Sequence, residues 1–388
     1  MSEASPWGAE PVALHRPRSM DELRWLIAVR DGTTLAPVSA GTALELGNRP
    51  AGPFAPVYLG DAVTGEIEHQ EDDLTVVAPA TATIGAIQAV LAPRRQRLPI
   101  DPPRADAATI GGTLATGLSG PLRARYGLPR DMVLGMTVLR ADGVEVKAGG
   151  RVVKNVTGYD LMRLWCGSLG TLGIITQVAL RVFPTSEFVD FARPLDSFEE
   201  GAALATALYT RDLRPEFAEV IADAGGPRLS VRIPAGGDTL ARTILGAPAA
   251  DGPATADYEL SRDAGQRDAD ALTVHVATTA SSISDVAAVL QRMQPAVLVM
   301  RPLAGVVRAV WRGGLLPDPN QFEIAASGLR GRARVYGGSV IVQRMPDGWR
   351  DWLDAWGPTG SPVELLQRTK AAYDPDGRLN RRRFAGGI

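Results

Sequence analysis

The chain reads Gly167-Ser168-Leu169-Gly170-Thr171-Leu172-Gly173-Ile174-Ile175-Thr176, with a glycine at every third position before a run of β-branched residues. The run predicts a strand over residues 172–182, which Pro184 ends. The glycine spacing differs from GxGxxG, and the segment neither follows a clear strand nor opens a helix, which argues against a Rossmann-type NAD site. The sequence also lacks the P-loop GxxxxGK(S/T) and the hydrolase GxSxG.

Two further segments are rich in small residues. Residues 37–43 follow a predicted strand, and their unhindered backbone N–H groups could converge on a pyrophosphate, although ordinary turns use the same residues. Residues 108–117 would let the backbone approach a flat ligand, or would serve close packing between chain segments. Taken singly, each segment leaves both interpretations open.

Composition narrows the class of protein. The 388 residues are 45% hydrophobic and 22% charged, as in a globular chain of two or three domains. Forty-one basic and forty-three acidic residues give a formal charge of −2, so charge indicates no nucleic-acid or anionic-membrane partner. No apolar stretch is long enough for a signal peptide or a transmembrane segment. We therefore expect a cytoplasmic protein that is peripheral to the membrane only through its partners.

Cysteine and histidine usage argues against a metal centre. Cys166 is the one cysteine, which we interpret as a packing residue and which cannot hold an iron–sulfur cluster alone. His15, His69 and His275 are far apart and form no ligand spacing. We expect no metal site, and any cluster must belong to another chain.

The first domain is predicted to span residues 10–185, with lobes at 10–62 and 63–185. A capping box at 19–22 predicts a helix from about residue 20, and strands at 35–38 and 57–59 complete a βαβ-like opening. A strand from residue 74, a helix at 84–91 and a hairpin around Asp142-Gly143 follow.

The second domain is predicted over residues 186–357 as a two-layer α+β cap. A capping box at 197–200 opens one helix and residues 284–293 form another, with strands at 228–233, 272–277 and 340–342 and a loop at 246–257. Residues 358–388 are expected to return to the first domain.

Together the three small-residue segments resemble the FAD-binding domain of vanillyl-alcohol oxidase, D-lactate dehydrogenases and glycolate oxidase, known as the PCMH type. The resemblance is most specific to the FAD-binding E subunit of bacterial glycolate oxidases. It rests on Arg125-Tyr126-Gly127-Leu128-Pro129-Arg130-Asp131, on Val153-Lys154-Asn155-Val156-Thr157-Gly158-Tyr159-Asp160-Leu161 and on the 167–176 run. It covers residues 10–185 and returns at 370–380. It implies an α+β fold: a two-part PCMH-type FAD-binding domain with a smaller α+β cap.

The resemblance implies a cofactor site. Ser39, Ala40, Gly41, Thr42 and Ala43 would hold the FAD pyrophosphate, Gly111, Gly112, Thr116 and Gly117 would line the dinucleotide, Gly173 and Ile174 would present backbone to it, and Asn380 would approach the isoalloxazine edge. Several relatives carry a histidine where Thr42 stands and bond the flavin covalently, so noncovalent FAD is implied here.

Two polar clusters have two interpretations each. Lys154, Asn155, Tyr159 and Asp160 would stabilise the flavin or a neighbouring loop, or would anchor the short helix that follows. Residues 381–383, three consecutive arginines, would contact phosphate or a partner chain, although solvated surface is the commoner fate of such a run.

The resemblance also bears on catalysis. Catalytic relatives carry a histidine-rich HxGDGNxH stretch in the cap, whereas residues 333–340 here contain no histidine. This favours an accessory FAD subunit that works beside a catalytic FAD subunit and an iron–sulfur subunit in oxidising glycolate to glyoxylate.

Two alternatives stay open. The chain is a stand-alone dehydrogenase of a small 2-hydroxy acid such as D-lactate, with Arg301, Arg308 or Arg334 holding the substrate carboxylate. Alternatively it is a structural subunit with a decayed flavin site, since Ala40 stands where relatives usually have glycine.

Overall fold

The computed structural model describes residues 7, 9–151, 160–246, 250–251, 255–266, 268, 270–360 and 362–388. These residues form two compact units. Unit 1 contains the described residues of Met1–Ser119, Leu128–Thr185 and Pro358–Ile388, and unit 2 those of Gly120–Gly127 and Ser186–Gly357.

The fold is α+β, and its elements are as follows. The helices are α1 (Met20–Ala28), α2 (Ile84–Leu91), α3 (Ile110–Thr116), α4 (Arg123–Tyr126), α5 (Met162–Trp165), α6 (Phe198–Thr210), α7 (Asp238–Leu245), α8 (Thr255–Asp263), α9 (Ile283–Gln291), α10 (Pro319–Val335) and α11 (Val363–Tyr373). The strands are β1 (Thr34–Val38), β2 (Phe54–Tyr58), β3 (Glu68–Gln70), β4 (Thr75–Pro79), β5 (Gln96–Arg97), β6 (Val133–Leu139), β7 (Glu145–Gly149), β8 (Ile174–Arg181), β9 (Phe183–Pro184), β10 (Phe188–Pro194), β11 (Phe217–Asp223), β12 (Gly226–Pro234), β13 (Ala250–Asp251), β14 (Leu272–Ala277), β15 (Val297–Arg301), β16 (Val306–Trp311) and β17 (Ser339–Arg344).

Unit 1 opens with a capped helix and a parallel strand pair. Ser19 caps α1 by accepting the N–H of Glu22, as predicted. Strands β1 and β2 pair in parallel. The helix and both strands follow in the predicted order, but they do not form the expected βαβ-like unit, because α1 precedes both strands and the 39–53 connection contains no helix. Gly41, Gly47 and Gly52 in that connection adopt positive φ, which a right-handed helix excludes.

The largest sheet of unit 1 among the described residues is a five-stranded antiparallel sheet in the order β3-β4-β8-β6-β7. The predicted hairpin is β6-β7, and Gly143 takes φ +81° in its turn. The predicted strand from the glycine-rich 167–176 segment is β8, which lies between β4 and β6. The segment that precedes β8 is thereby anchored to the middle of the sheet.

Unit 2 is an antiparallel eight-stranded sheet in the order β13-β10-β12-β11-β15-β16-β14-β17. One face packs against helices α6, α7, α9 and α10 to form the main core. The predicted capping box is confirmed, since Ser197 accepts the N–H of Glu200 at the start of α6. The predicted 246–257 loop also contains β13 and the first turn of α8.

Residues 120–127 depart from the expected domain limits. They belong to unit 2, whereas the predicted first domain, residues 10–185, includes them. The reason is local: Arg125 Nη1 donates to the Arg214 carbonyl at 2.5 Å, and Tyr126 donates its hydroxyl to Glu216 at 3.3 Å. Over the part of the chain that the structure describes, no helix has both the length and the apolar character needed to cross a membrane.

Candidate cofactor site

Unit 1 contains a cavity at the ends of its strands. It has about 770 Å³ of empty space, part of it open to solvent, which is a common size for small-molecule and cofactor sites. Eleven of the twelve predicted site residues line it, all except Gly117. The lining residues are Pro37, Ser39, Ala40, Gly41, Thr42, Ala43, Leu44, Leu59, Ala80, Thr81, Thr109, Gly111, Gly112, Ala115, Thr116, Leu169, Gly170, Gly173, Ile174, Ile175, Asn380 and Arg383.

The cradle segment, residues 39–43, lies directly after β1 along one side of the cavity. Backbone N–H groups of residues 40–43 donate no hydrogen bond to any other described residue. Gly41 takes φ +72°, the left-handed conformation that also occurs in anion-binding turns. Backbone amides without a protein partner at a cavity wall can bind an anion such as a pyrophosphate, so these residues fit the cofactor that the sequence implies.

Residues 110–116 are a helix, α3, which sequence reasoning did not predict. Thr109 caps it by accepting the N–H of Gly112 at 3.3 Å. A Cβ at Gly111 would lie 2.6 Å from the Cβ of Ala80, so this glycine lets α3 approach the end of β4. Gly111 therefore serves close packing as well as lining the cavity. Gly117 ends the helix at φ +67° and lies outside the cavity lining.

The segment before β8 forms another part of the cavity wall. A Cβ at Gly173 would lie 2.5 Å from Val138 Cγ1, so the glycine allows close contact with β6. Ile174 follows it into the strand, and both line the cavity. Asn380 faces the same segment and donates from Nδ2 to the Leu169 carbonyl at 2.6 Å.

A buried ion pair holds Asn380 and the 168–173 segment together. Lys370 Nζ donates to Asp374 Oδ2 at 2.6 Å, to the Thr171 carbonyl at 2.7 Å and to the Leu379 carbonyl at 2.8 Å. Asp374 also accepts the backbone N–H groups of Arg378 and Leu379 at 2.8 and 2.7 Å. Burial lowers the pKa of Lys370, and the Asp374 carboxylate opposes that shift. Sequence reasoning missed this pair, which lies on α11 and just beyond its end.

Arg383 is a second feature that the sequence did not reveal. The expectation of a solvated arginine run is wrong at this position, because Arg383 is 4% exposed and lines the cavity. Arg382 beside it is exposed. The composition of an arginine run does not indicate which of its side chains is buried and which is exposed.

A comparison with known families identifies the cofactor class. Residues 11–149 match the family model described as "FAD binding domain". The chain contains an FAD-binding domain. The matched residues include the cradle segment and α3, which form two walls of the cavity.

Curated relatives of this FAD-binding domain include subunits of glycolate oxidase. The chain is 38% identical over 138 residues to "Glycolate oxidase subunit GlcE" of Escherichia coli (strain K12), covering 33% of this chain and 39% of that one. It is 33% identical over 189 residues to "Glycolate oxidase subunit GlcD" of Bacillus subtilis (strain 168), covering 48% and 40%. A "D-lactate dehydrogenase" of Archaeoglobus fulgidus is 31% identical over 184 residues, covering 46% and 40%. The chain thus spans about two-fifths of the length of the curated relatives it matches.

Solved structures extend the likeness in fold to nearly the whole chain. A structure titled "alkyldihydroxyacetonephosphate synthase in P212121" superposes with a TM-score of 0.67 over 96% of this chain and 77% of that one. The sequence identity is 16%, so the likeness concerns the fold that carries the FAD-binding domain.

Asp160 and Cys166, both singled out from the sequence, are not among the residues that line the cavity. Lys154, Asn155 and Tyr159 lie outside the described residues, while Asp160 forms an ion pair with Arg163 at 2.6 Å. Burial raises the pKa of the Cys166 thiol to about 12, so the thiol stays protonated near neutral pH.

The described cavity-lining residues include no histidine, carboxylate, tyrosine or lysine. His69 is in β3 and bonds Gln96 at 2.8 Å, and His15 makes a bridge to Val57 beside β2. His275 is in unit 2, where burial and three nearby arginines lower its pKa to about 3. Among the described residues, no group of three or more His, Cys, Asp or Glu side chains could hold a metal ion.

The arginines considered as carboxylate ligands are mostly engaged inside unit 2. Arg301 is buried and donates to Glu219 at 3.0 Å and to the Ser261 carbonyl at 3.1 Å. Arg308 is buried and donates to the carbonyls of Arg262 and Ala264 at the end of α8, at 3.0 and 2.6 Å. Arg334 is exposed on α10. Arg301 and Arg308 therefore fix α8 to the sheet.

Proposed function

We propose that this chain is the FAD-binding subunit of a glycolate oxidase complex, supporting the oxidation of glycolate to glyoxylate and the transfer of electrons to partner subunits. The proposal depends on the cavity of unit 1, whose residues fit an anionic cofactor. Among its described lining residues, none could take a proton from a hydroxy acid. The 38% identity to the E subunit of glycolate oxidase supports the choice of complex.

FAD, when bound, supplies the electron-accepting group. Unpartnered amides of residues 40–43 would bind its pyrophosphate, Gly111, Gly112 and Thr116 would lie along the dinucleotide, and Asn380 would lie at the isoalloxazine edge. A threonine at position 42 offers no imidazole for a covalent link, which supports noncovalent binding.

The partners would be a catalytic FAD subunit and an iron–sulfur subunit, in the cytoplasm or peripheral to the membrane through those partners. Oxidation of a 2-hydroxy acid needs a base for its hydroxyl and a cation for its carboxylate. With a pKa of about 3, His275 is a poor base at neutral pH, and Arg301 and Arg308 are engaged internally. These functions are therefore assigned to the partner.

The conformation of the cradle segment argues against the alternative that this chain is a structural subunit that has lost its FAD site. Ala40 does not adopt a positive φ, so its methyl group brings no backbone strain of the kind that would require glycine. Its side chain is exposed at the cavity wall, and the amides that follow are unpartnered.

The proposal predicts that glycolate alone leaves the flavin of this chain oxidised. In an anaerobic absorption experiment, excess glycolate should bleach less than about a tenth of the flavin in the isolated chain, because no described cavity residue can take the substrate proton. Adding the catalytic and iron–sulfur subunits should then bleach it. Rapid bleaching of the isolated chain by glycolate or D-lactate would instead make it a stand-alone dehydrogenase.

A further inference from the structure

We propose that Arg383 is a positioning residue for FAD, which gathers the backbone carbonyls of residues 44–48 and thereby fixes the adjoining cradle segment in the shape that receives the pyrophosphate. The inference rests on the proposed FAD site. Arg383 lies in the C-terminal segment, 335 positions from Asn48 in sequence, and would support the FAD site from there.

The guanidinium of Arg383 contacts three carbonyls of one loop. Its Nη2 donates to the carbonyls of Leu44 at 2.7 Å and Leu46 at 2.8 Å, and its Nε donates to that of Asn48 at 3.4 Å. These are alternate residues, so the loop wraps around one planar group. A guanidinium has five N–H donors in a rigid plane, which suits a set of converging carbonyls better than a lysine ammonium.

Trp7 completes the enclosure of this guanidinium. Arg383 Cζ lies 5.0 Å from the centre of the Trp7 ring, a distance at which a cation is attracted to the aromatic face. Trp7 Nε1 donates to the Leu44 carbonyl at 2.9 Å, the same oxygen that Arg383 binds. One carbonyl is thus held from two directions, immediately after the cradle segment.

The backbone of Arg383 also pairs with the loop. Asn48 donates its N–H to the Arg383 carbonyl at 3.0 Å. At Gly47 the φ is +87°, and a Cβ there would lie 2.6 Å from that carbonyl oxygen and 2.8 Å from Leu169 Cδ1. Only glycine allows this approach without displacing the C-terminal segment.

The cradle segment depends on this loop because residues 40–43 donate no backbone hydrogen bonds to other described residues. Its shape is set by β1 on one side and by residues 44–48 on the other. Without Arg383 the loop would sample other conformations. FAD binding would then have to order the loop, which would lower the affinity for FAD.

The first test compares Arg383→Met with Arg382→Met, a change at the exposed neighbour. We expect Arg383→Met to weaken FAD binding at least about 10-fold, because hydrogen bonds from a charged donor are lost, while Arg382→Met stays within about 2-fold. Arg383→Lys should recover part of the loss. In the apoproteins, Arg383→Met should speed hydrogen–deuterium exchange of residues 39–52 and leave β4 and β8 unchanged. Equal FAD affinity in the two methionine variants would overturn the proposal.

A second pair of variants keeps the test decisive if Arg383→Met does not fold. Gly47→Ala and Gly52→Ala both place alanine at positive φ, but a Cβ at Gly52 meets no atom within 4 Å. Gly47→Ala should weaken FAD binding about 10-fold more than Gly52→Ala, and equal losses would contradict the role of Arg383. If the wild type holds no FAD, the proposed function fails, and apoprotein exchange at residues 39–52 alone decides whether Arg383 fixes the loop.

Discussion

Replacing Asp374 by asparagine is expected to lower the free energy of unfolding of unit 1 by about 3–5 kcal/mol. Its carboxylate is fully buried and accepts hydrogen bonds from Lys370 and from the backbone of Arg378 and Leu379. Asparagine has the same shape but leaves the buried ammonium without its counter-charge and turns an amide N–H₂ toward a donor. Urea unfolding of the apoprotein, followed by hydrogen exchange of peptides from β4 and β8, measures the change.

Asp160→Asn is the matched control for Asp374→Asn. The Asp160–Arg163 pair has the same 2.6 Å separation as Lys370–Asp374, but its side chains are 48% and 54% exposed. Exposed pairs contribute roughly 0–1 kcal/mol, so this variant should unfold almost as the wild type does. If the two variants lose similar stability, the buried pair does not anchor the C-terminal segment as inferred.

Placing a carboxylate in the cradle is expected to weaken FAD binding by roughly 30- to 150-fold. Ala40 lines the cavity and is exposed, so Ala40→Glu should leave folding intact. A negative charge about 5 Å from a phosphate costs about 2–3 kcal/mol at effective dielectric constants of about 22–33. Equilibrium titration of the apoprotein with FAD, followed by quenching of flavin fluorescence, measures the affinity.

Ala40→Gln separates charge from size in this experiment. Glutamine has the same length as glutamate, so any loss that it causes reports steric hindrance alone. The excess loss in Ala40→Glu should shrink as salt rises, because exposed charges are screened. Equal affinities of the glutamate and glutamine variants would show that no phosphate lies near residue 40.

The local elements of the fold were predictable because their signals are local. The Ser19 and Ser197 capping boxes, the Asp142-Gly143 turn and the strand after Gly173 each depend on residues a few positions apart. Helix α3 was not predicted, because its two glycines disfavour helix formation by propensity. Tertiary contact explains it, since Gly111 packs on Ala80.

The supports of the candidate site were not predictable from the sequence. Lys370 reaches the Thr171 carbonyl across 199 positions, and Arg383 reaches the Leu44 carbonyl across 339. No periodicity or turn pattern encodes contacts at such separations, and an arginine run is more often solvated than buried. The local pattern of small residues after a strand made the cradle segment a candidate, and the resemblance to FAD-binding domains assigned it to the pyrophosphate.

Hydrogen–deuterium exchange of the wild-type chain, measured with and without saturating FAD, shows whether FAD binds in the cavity of unit 1. We predict that FAD slows exchange in four segments, residues 39–48, 108–117, 168–175 and 378–384, which contain most of the cavity lining. If saturation with FAD leaves the exchange of all four segments unchanged, the cofactor binds elsewhere and the cavity of unit 1 is not its site.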